Sequence, residues 1–297
     1  MVDRPDILCI GSVLWDMIGR SASTMRLGSD VPGRIIRIPG GVAMNIAMTL
    51  VRFGLRPALL TSLGRDRDGD ALIAEAEDMG METVFAYRSD DLPTDSYMAI
   101  EGANGLIAAI ADAHSLERAG AKILRPLEDG RLGNAAAPWA GPVALDGNLT
   151  AELLREIAGS PLFAAADIRL APASPSKALR LQALMGHPRT TFYVNLEEAG
   201  LLCNTVFDSS GAAARALVAR GAARALVTDG GRETTEAAGD RVLGRRPPEV
   251  LVTRVTGAGD TFMAAHIAAE LRGSAPEAAL EAALDAAATY VSGDTPQ

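Results

Sequence analysis

The stretch Val255-Thr256-Gly257-Ala258-Gly259-Asp260-Thr261 decides how the rest of this chain is read. Upstream, Glu249 to Val255 alternates as a strand does, and downstream Phe262 to Leu271 carries apolar residues at helical spacing. The motif is therefore expected at a strand-to-helix turn. Glycines there let a backbone approach a ligand closely, and the free N–H groups of a first helical turn attract negative charge. Gly257, Ala258 and Gly259 are thus candidate catalytic residues forming an oxyanion cradle, with Asp260 placed to take the proton of an attacking hydroxyl. The same residues also suit a glycine turn with Asp260 or Thr261 as an N-cap.

Outward from this stretch, short apolar runs take turns with helical patterns. Asp6 to Ser12 reads as a buried first strand, Arg34 to Ile38 as a short strand broken by Pro39-Gly40-Gly41, and Ala43 to Phe53 as an amphipathic helix stopped by Gly54. Pro57 to Leu63 reads as a strand and Asp70 to Met79 as a helix. Further strands are expected at Pro142 to Asp146, Ile168 to Ala171, Thr191 to Val194 and Ala225 to Thr228. Helices are expected at Ala151 to Ala158, Lys177 to Met185, from Leu196, at Gly211 to Arg220 and in the Ala-rich run Ala275 to Ala288. Such alternation implies an α/β fold, a doubly wound and mostly parallel sheet with helices on both faces. Ser96 to Ile100 and Leu106 to Ala111, joined at Ala103-Asn104-Gly105, interrupt it as a hairpin. Residues 1–297 are expected to form one domain, with a small β-sheet lid built from about 15–38 and 95–112.

Composition excludes several functions. A net charge of -9 over 297 residues argues against a nucleic-acid partner. Neither lysine, Lys122 or Lys177, follows a glycine-rich loop, so a Walker-type phosphate loop is absent. The histidines His114, His187 and His266 are far apart, which disfavours zinc, and no GxSxG elbow marks a serine hydrolase. Gly11-Ser-Val-Leu-Trp-Asp lacks the glycine spacing of a dinucleotide oxidoreductase. Cys9 and Cys203 sit in apolar surroundings and are expected as buried thiols, in keeping with a cytoplasmic protein. The first residues show no signal-peptide pattern, and no apolar run is long enough to span a membrane.

The segment Gly40-Gly41-Val42-Ala43-Met44-Asn45 repeats the logic of the first motif. Paired glycines precede a helix, the Asn45 amide can donate and accept toward hydroxyls, and the Asp16 carboxylate can accept from two neighbouring hydroxyls. Together they suit a vicinal diol. Separately, Asp16 also reads as a turn residue and Asn45 as a local cap. Two glycine motifs in this order, Gly-Gly-x-x-x-Asn and Thr-Gly-Ala-Gly-Asp, resemble the ribokinase-like, or PfkB, family of carbohydrate and nucleoside kinases through nearly the whole chain.

That resemblance implies an enzyme, an ATP-dependent kinase that phosphorylates a sugar or nucleoside hydroxyl. Asn195-Leu-Glu-Glu198 resembles the family's NxxE element, so Asn195 and Glu198 are implied cofactor residues holding magnesium through water; they also read as a capping pair. Thr228-Asp-Gly230-Gly231 resembles the turn that contacts the nucleotide phosphates. Several strings are most similar to pseudouridine kinases: Gly28 to Ile35, Pro39 to Ala47, the hairpin ending at Asp112, and Leu145-Asp146-Gly147-Asn148. On this resemblance Asp112, Asn148 and Lys177 join Asp16, Gly40, Gly41 and Asn45 as substrate-binding candidates. The same fold also serves kinases of ribose or adenosine, and regulators that bind without turnover. Two departures stand out: Ala171 replaces a usual acidic residue, and Arg254 stands where many relatives use an aspartate to help bind a monovalent cation. A guanidinium cannot ligate potassium, which makes a monovalent cofactor doubtful. An exposed lid edge allows a homodimer.

Overall fold

The computed structural model describes residues 4–26 and 28–293; the ends of the expected 1–297 domain, including the first three residues of the N-terminal segment, lie outside the described residues. In chain order, β1 (Ile7–Ile10) leads into β2 (Leu14–Arg20), β3 (Arg34–Gly40) and α1 (Val42–Arg52). Next come β4 (Pro57–Leu60), β5 (Ser62–Gly64), α2 (Arg67–Asp78), β6 (Tyr87–Ser89), β7 (Ser96–Gly102), β8 (Gly105–Asp112) and α3 (Ser115–Ala119). The second half runs through β9 (Pro142–Asp146), α4 (Ala151–Gly159), β10 (Asp167–Ala171), α5 (Pro175–Ala178), β11 (Thr190–Asn195), α6 (Leu196–Cys203), α7 (Ser210–Ala219) and β12 (Arg224–Thr228). It closes with β13 (Thr234–Ala238), β14 (Arg241–Arg245), α8 (Ala258–Leu271) and α9 (Pro276–Ser292).

Eight strands form the main sheet in the order β14-β13-β12-β11-β10-β9-β1-β4. From β12 to β4 all pairings are parallel, and β13 and β14 add an antiparallel edge. Alternation along each strand splits the core in two. Leu8, Ile10, Val143, Leu145, Ile168 and Leu170 bury themselves on one face, while Ile7, Cys9, Ala144, Tyr193 and Leu226 pack on the other with α1, α8 and α9. This is the doubly wound α/β arrangement expected from the β-α-β alternation. Both cysteines are buried free thiols, as their apolar neighbours implied. Among the described residues no helix is long and apolar enough to cross a membrane.

The hairpin and the early region do form a separate sheet, ordered β3-β2-β7-β8. A tight connection at Ala103-Asn104 sets Gly102 opposite Gly105, whose φ of 91° suits a glycine. Its faces stay apolar and open: Ile35, Leu106 and Ile110 are each more than half exposed.

Several elements depart from their sequence pattern. Glu249 to Val255 is no strand: Thr253 N–H donates to Val291 O (2.8 Å) and Arg254 Nε to Tyr290 O (2.7 Å), so the segment follows the last turn of α9 and no strand pairs with it. Pro57 to Leu63 divides into β4 and β5, and β5 leaves the main sheet to pair with β6. Lys177 to Met185 is a short α-turn continued by a 3-10 helix, Leu179–Leu184, whose buried Leu181 and Leu184 share a face at the three-residue spacing of that helix. The pair β13 and β14 escaped the pattern altogether, because its inward Glu236 is buried as an ion pair and not as an apolar residue.

Candidate active site

Parallel strands carry their ligand residues at the carboxyl ends, where loops open above the sheet. Here Ser12 follows β1, Asp146 ends β9 beside Ala171, and Asn195 ends β11 directly opposite Thr228 on β12. One carboxylate organises this rim. Asp146, 1 % exposed, accepts from Ser12 N–H (2.8 Å), Ser12 Oγ (3.1 Å), Ala43 N–H (3.1 Å) and Asn148 N–H (2.8 Å). Burial pushes its pKa up, and those hydrogen bonds pull it back. Ser12 Oγ in turn accepts from Val42 N–H (2.9 Å) and Asn148 Nδ2 (2.8 Å), and Lys177 Nζ donates to Asn148 Oδ1 (2.5 Å). Residues from both halves of the chain are thus tied to the start of α1.

Gly40 and Gly41 are positions of close approach, here to the protein's own atoms. A Cβ on Gly40 would run into the Asp16 carboxylate, and Gly41 has φ 93° with its open side against Ser12 O. Asp16 lies half-buried on β2 with Gly40 against its carboxylate, and burial pushes its pKa up to about 6. Asn45, in the first turn of α1, donates from Nδ2 to Asp260 Oδ2 at 2.9 Å. Residues 215 positions apart therefore share one pocket.

Asp260 sits in the first turn of α8, after Gly257 as N-cap with φ 88°. Tyr290 Oη occupies the space a Cβ on Gly257 would need, and the same hydroxyl donates to Thr256 O at 2.8 Å. Burial raises the Asp260 pKa to about 7, the Asn45 hydrogen bond opposes this, and the charges of Asp146 and Glu198 add to it. A carboxylate poised there matches a general base working near neutral pH. The Ala258 N–H is already used, donating to Val255 O at 3.0 Å in the tight turn, so it does not serve the anion cradle as expected. The N–H groups of Gly257 and Gly259 meet no acceptor among the described residues.

Asn195 and Glu198 form a reciprocal capping box on α6, with Asn195 Oδ1 accepting from Glu198 N–H and Glu198 Oε2 from Asn195 N–H, both at 2.8 Å. Burial raises the pKa of Glu198, and Glu197 adds to the rise. Gly230 adopts φ 56° in the open turn beyond Thr228, with Gly231 beside it. Asp112 is not brought to this cluster. In the small-sheet register it aligns with Ser96 and Trp15, one residue out of step with Asp16 and Tyr97, so it projects from the opposite face. Sequence reasoning passed over Ser12 and Asp146 as site residues; the Asp-x-Asn spacing at a strand end was the available signal for the second.

An acid beside unsatisfied amides, at the rim of a doubly wound sheet, is chemically suited to phosphoryl transfer to a hydroxyl. The pfkB family carbohydrate kinase model matches residues 4–296, and the chain belongs to that family. It is 28% identical to the uncharacterized sugar kinase YeiI of Escherichia coli over 282 residues, 92% of this chain and 74% of that one. It is 30% identical to the pseudouridine kinase of Arabidopsis thaliana over 100 residues, 34% of this chain and only 26% of that protein's length. The structure of Arabidopsis thaliana ribokinase complexed with ribose and ATP superposes with a TM-score of 0.77 at 19% identity, covering 97% of this chain and 93% of the other.

The raised Asp260 pKa carries a stability consequence. A folded-state pKa of about 7 against an ordinary value of 3.8 means stability that is full below the lower value and lost as pH rises through the upper one. Asp260→Asn removes this titration while keeping an acceptor for Asn45. Melting curves are expected to show the variant gaining on the parent between pH 4 and pH 8; an equal gap at both ends would contradict the buried-carboxylate account.

Proposed function

We propose that this kinase transfers the terminal phosphoryl group of ATP to the 5'-hydroxyl of pseudouridine, with Asp260 as the base. The hydrogen bond between Asn45 and Asp260 carries the reading, since it sets the diol-binding segment against the reacting acid. In this account Asp16, Asn45 and the Gly40-Gly41 backbone hold the ribosyl diol, with Asn148 and Lys177 at the pocket wall. The Gly257 and Gly259 amides stabilise charge on the migrating group, and positioning supplies most of the acceleration. The small sheet acts as the lid, excluding water that would otherwise hydrolyse ATP. The choice of pseudouridine rests on the likeness to the Arabidopsis pseudouridine kinase and on the local strings shared with such enzymes.

Among the described residues no group of three or more His, Cys, Asp or Glu is arranged to hold a metal. Glu198 spends one oxygen on its cap, and burial makes its remaining charge costly. This fits a hydrated magnesium ion carried by nucleotide phosphates and met by Asn195 and Glu198 through water. When bound, the ion would neutralise phosphate charge. Thr228, Gly230 and Gly231 would contact the phosphates from the next strand end. A potassium ion fits less well: the Tyr290 carbonyl already accepts from Arg254 Nε, the Thr256 carbonyl accepts from Tyr290 Oη, and the Arg254 guanidinium lies 3.9 Å from the Tyr290 ring centre. The exposed apolar faces of the small sheet suit a homodimer contact.

ADP release measured side by side with pseudouridine, uridine, ribose and adenosine should favour pseudouridine. Preference for another acceptor would replace the substrate, and no release with any would leave a binding protein. Asp260→Ala should lower turnover about 10²- to 10⁴-fold with ATP affinity retained; near-normal turnover refutes the base. Turnover in potassium and in tetramethylammonium buffers should agree within about twofold, and a tenfold potassium stimulation would return the cation to the mechanism. Light scattering should give twice the chain mass for the parent and a monomer for Ile110→Asp; two equal masses would remove the lid from the contact.

A further inference from the structure

Helix α8 carries Asp260 in its first turn, and every residue from Thr261 to Ala269 is buried. Four of them, Ala264, Ala265, Ala268 and Ala269, present only methyl groups. Such a surface makes shallow ridges, and shallow ridges resist sliding and rotation weakly. Phe262, Met263 and Ile267 fill the apolar layer around them, and polar side chains on the sheet face add directional contacts that methyl groups cannot. Arg169, Tyr193, Arg224 and Glu236 come from four successive strands, β10 to β13, and the strand registers set them on the sheet face that meets α8.

His266 is wholly buried; its Nδ1 lies 2.9 Å from Tyr193 Oη and its Nε2 3.2 Å from Arg224 Nη2. Glu270, one turn on, receives Arg224 Nη1 at 2.5 Å on one oxygen and Arg169 Nη1 on the other. Arg224 Nε and Arg241 Nη2 both donate to Glu236 Oε1, at 3.0 and 2.6 Å, and Asp167 pairs with Arg169. Three guanidinium groups thus face three carboxylates. Burial lowers the His266 pKa, which keeps the ring neutral and the balance intact. Glu236 Oε2 accepts no hydrogen bond and stands 3.6 Å from His266 Nε2.

We propose that this buried network fixes the rotation and axial position of α8, making His266 and Glu270 positioning residues that hold Asp260 and the Gly257–Gly259 turn against the acceptor. The assignment rests on the kinase reading for its catalytic consequence. His266 lies six residues beyond Asp260, about 9 Å along the helix axis at 1.5 Å per residue, so it touches no reacting atom. Its effect passes through the helix as a rigid rod. Misplacing a reacting group by about 1 Å costs on the order of 10²-fold in rate, which sets the size of the expected effect.

The test uses the full chain and four variants: His266→Gln, Glu270→Gln, Glu270→Asp and, as a control destabilised in the other core layer, Leu154→Ala. Turnover is measured well below each melting temperature, and the Asp260 carboxyl is titrated by carbon NMR. We expect His266→Gln and Glu270→Gln to lose about 10- to 100-fold in kcat with both KM values within about threefold, and the Asp260 titration to move down from about 7 as the acid becomes better solvated. Leu154→Ala should keep kcat and titration, and Glu270→Asp should recover part of the loss. Removing one member of a buried ionic set can unfold a protein, whereas replacing the set with apolar residues is often neutral. A concerted variant, Arg224→Met and Arg241→Met with Glu236→Leu, His266→Leu and Glu270→Leu, which leaves Arg169 paired with Asp167, therefore accompanies the single ones. If it folds as stably as the parent and keeps full kcat and an unmoved titration, the network has no positioning role. A parent with no turnover but with the titration moved in the variants would refute the kinase reading and leave the positioning in place; unmoved titrations would overturn the positioning alone.

Discussion

The carboxylate of Asp146 is the constraint on which this architecture turns. A fully buried acid is tolerated because backbone N–H groups from three separate segments point at it, those of Ser12, Ala43 and Asn148. Each donor fixes one part of the pocket. Ser12 follows β1, Ala43 lies in the first turn of α1 and so sets Asn45 two residues on, and Asn148 reaches to Lys177. Geometry along this part of the rim follows from satisfying a single buried carboxyl.

The opposite end is held by a different kind of compensation. Asp260 is pushed up by burial and by the charges of Asp146 and Glu198, and only the Asn45 amide relieves it. Three acids near one another are unfavourable as anions and become useful when cations or a proton-bearing substrate arrive. Behind Asp260, the helix that carries it is held by buried Phe262, Met263 and Ile267 and, on the sheet side, by paired charges that add directional bonds.

Legibility in the sequence tracked how local each signal was. Continuous apolar runs at Ile7–Ile10 and Pro142–Asp146 and the glycine stops after α1 and α2 predicted their elements well, because burial on a parallel sheet demands continuous hydrophobicity. Glu249 to Val255 has the same look and is no strand, since a strand needs a partner and α9 takes its hydrogen-bonding groups instead. Strands β13 and β14 hide behind Glu236 and Arg241, whose charges read as solvent-facing until their partners are known. In the site, Gly41 and Gly257 were legible as tight turns and have positive φ, while the loss of the Ala258 amide to Val255 and the outward face of Asp112 depend on atoms outside the motifs.

Residue order alone determined the alternation of strand and helix, the two glycine turns and the presence of an acid after the second, because these depend on neighbours within a few positions. Only the tertiary structure decided that Asn45 meets Asp260, that Asp146 gathers three segments, and that His266 and Glu270 brace α8. Apart from the local Asn148 bond to Asp146, those contacts join residues from 42 to 215 positions apart, and their energies depend on burial and on charges that converge when the sheet closes.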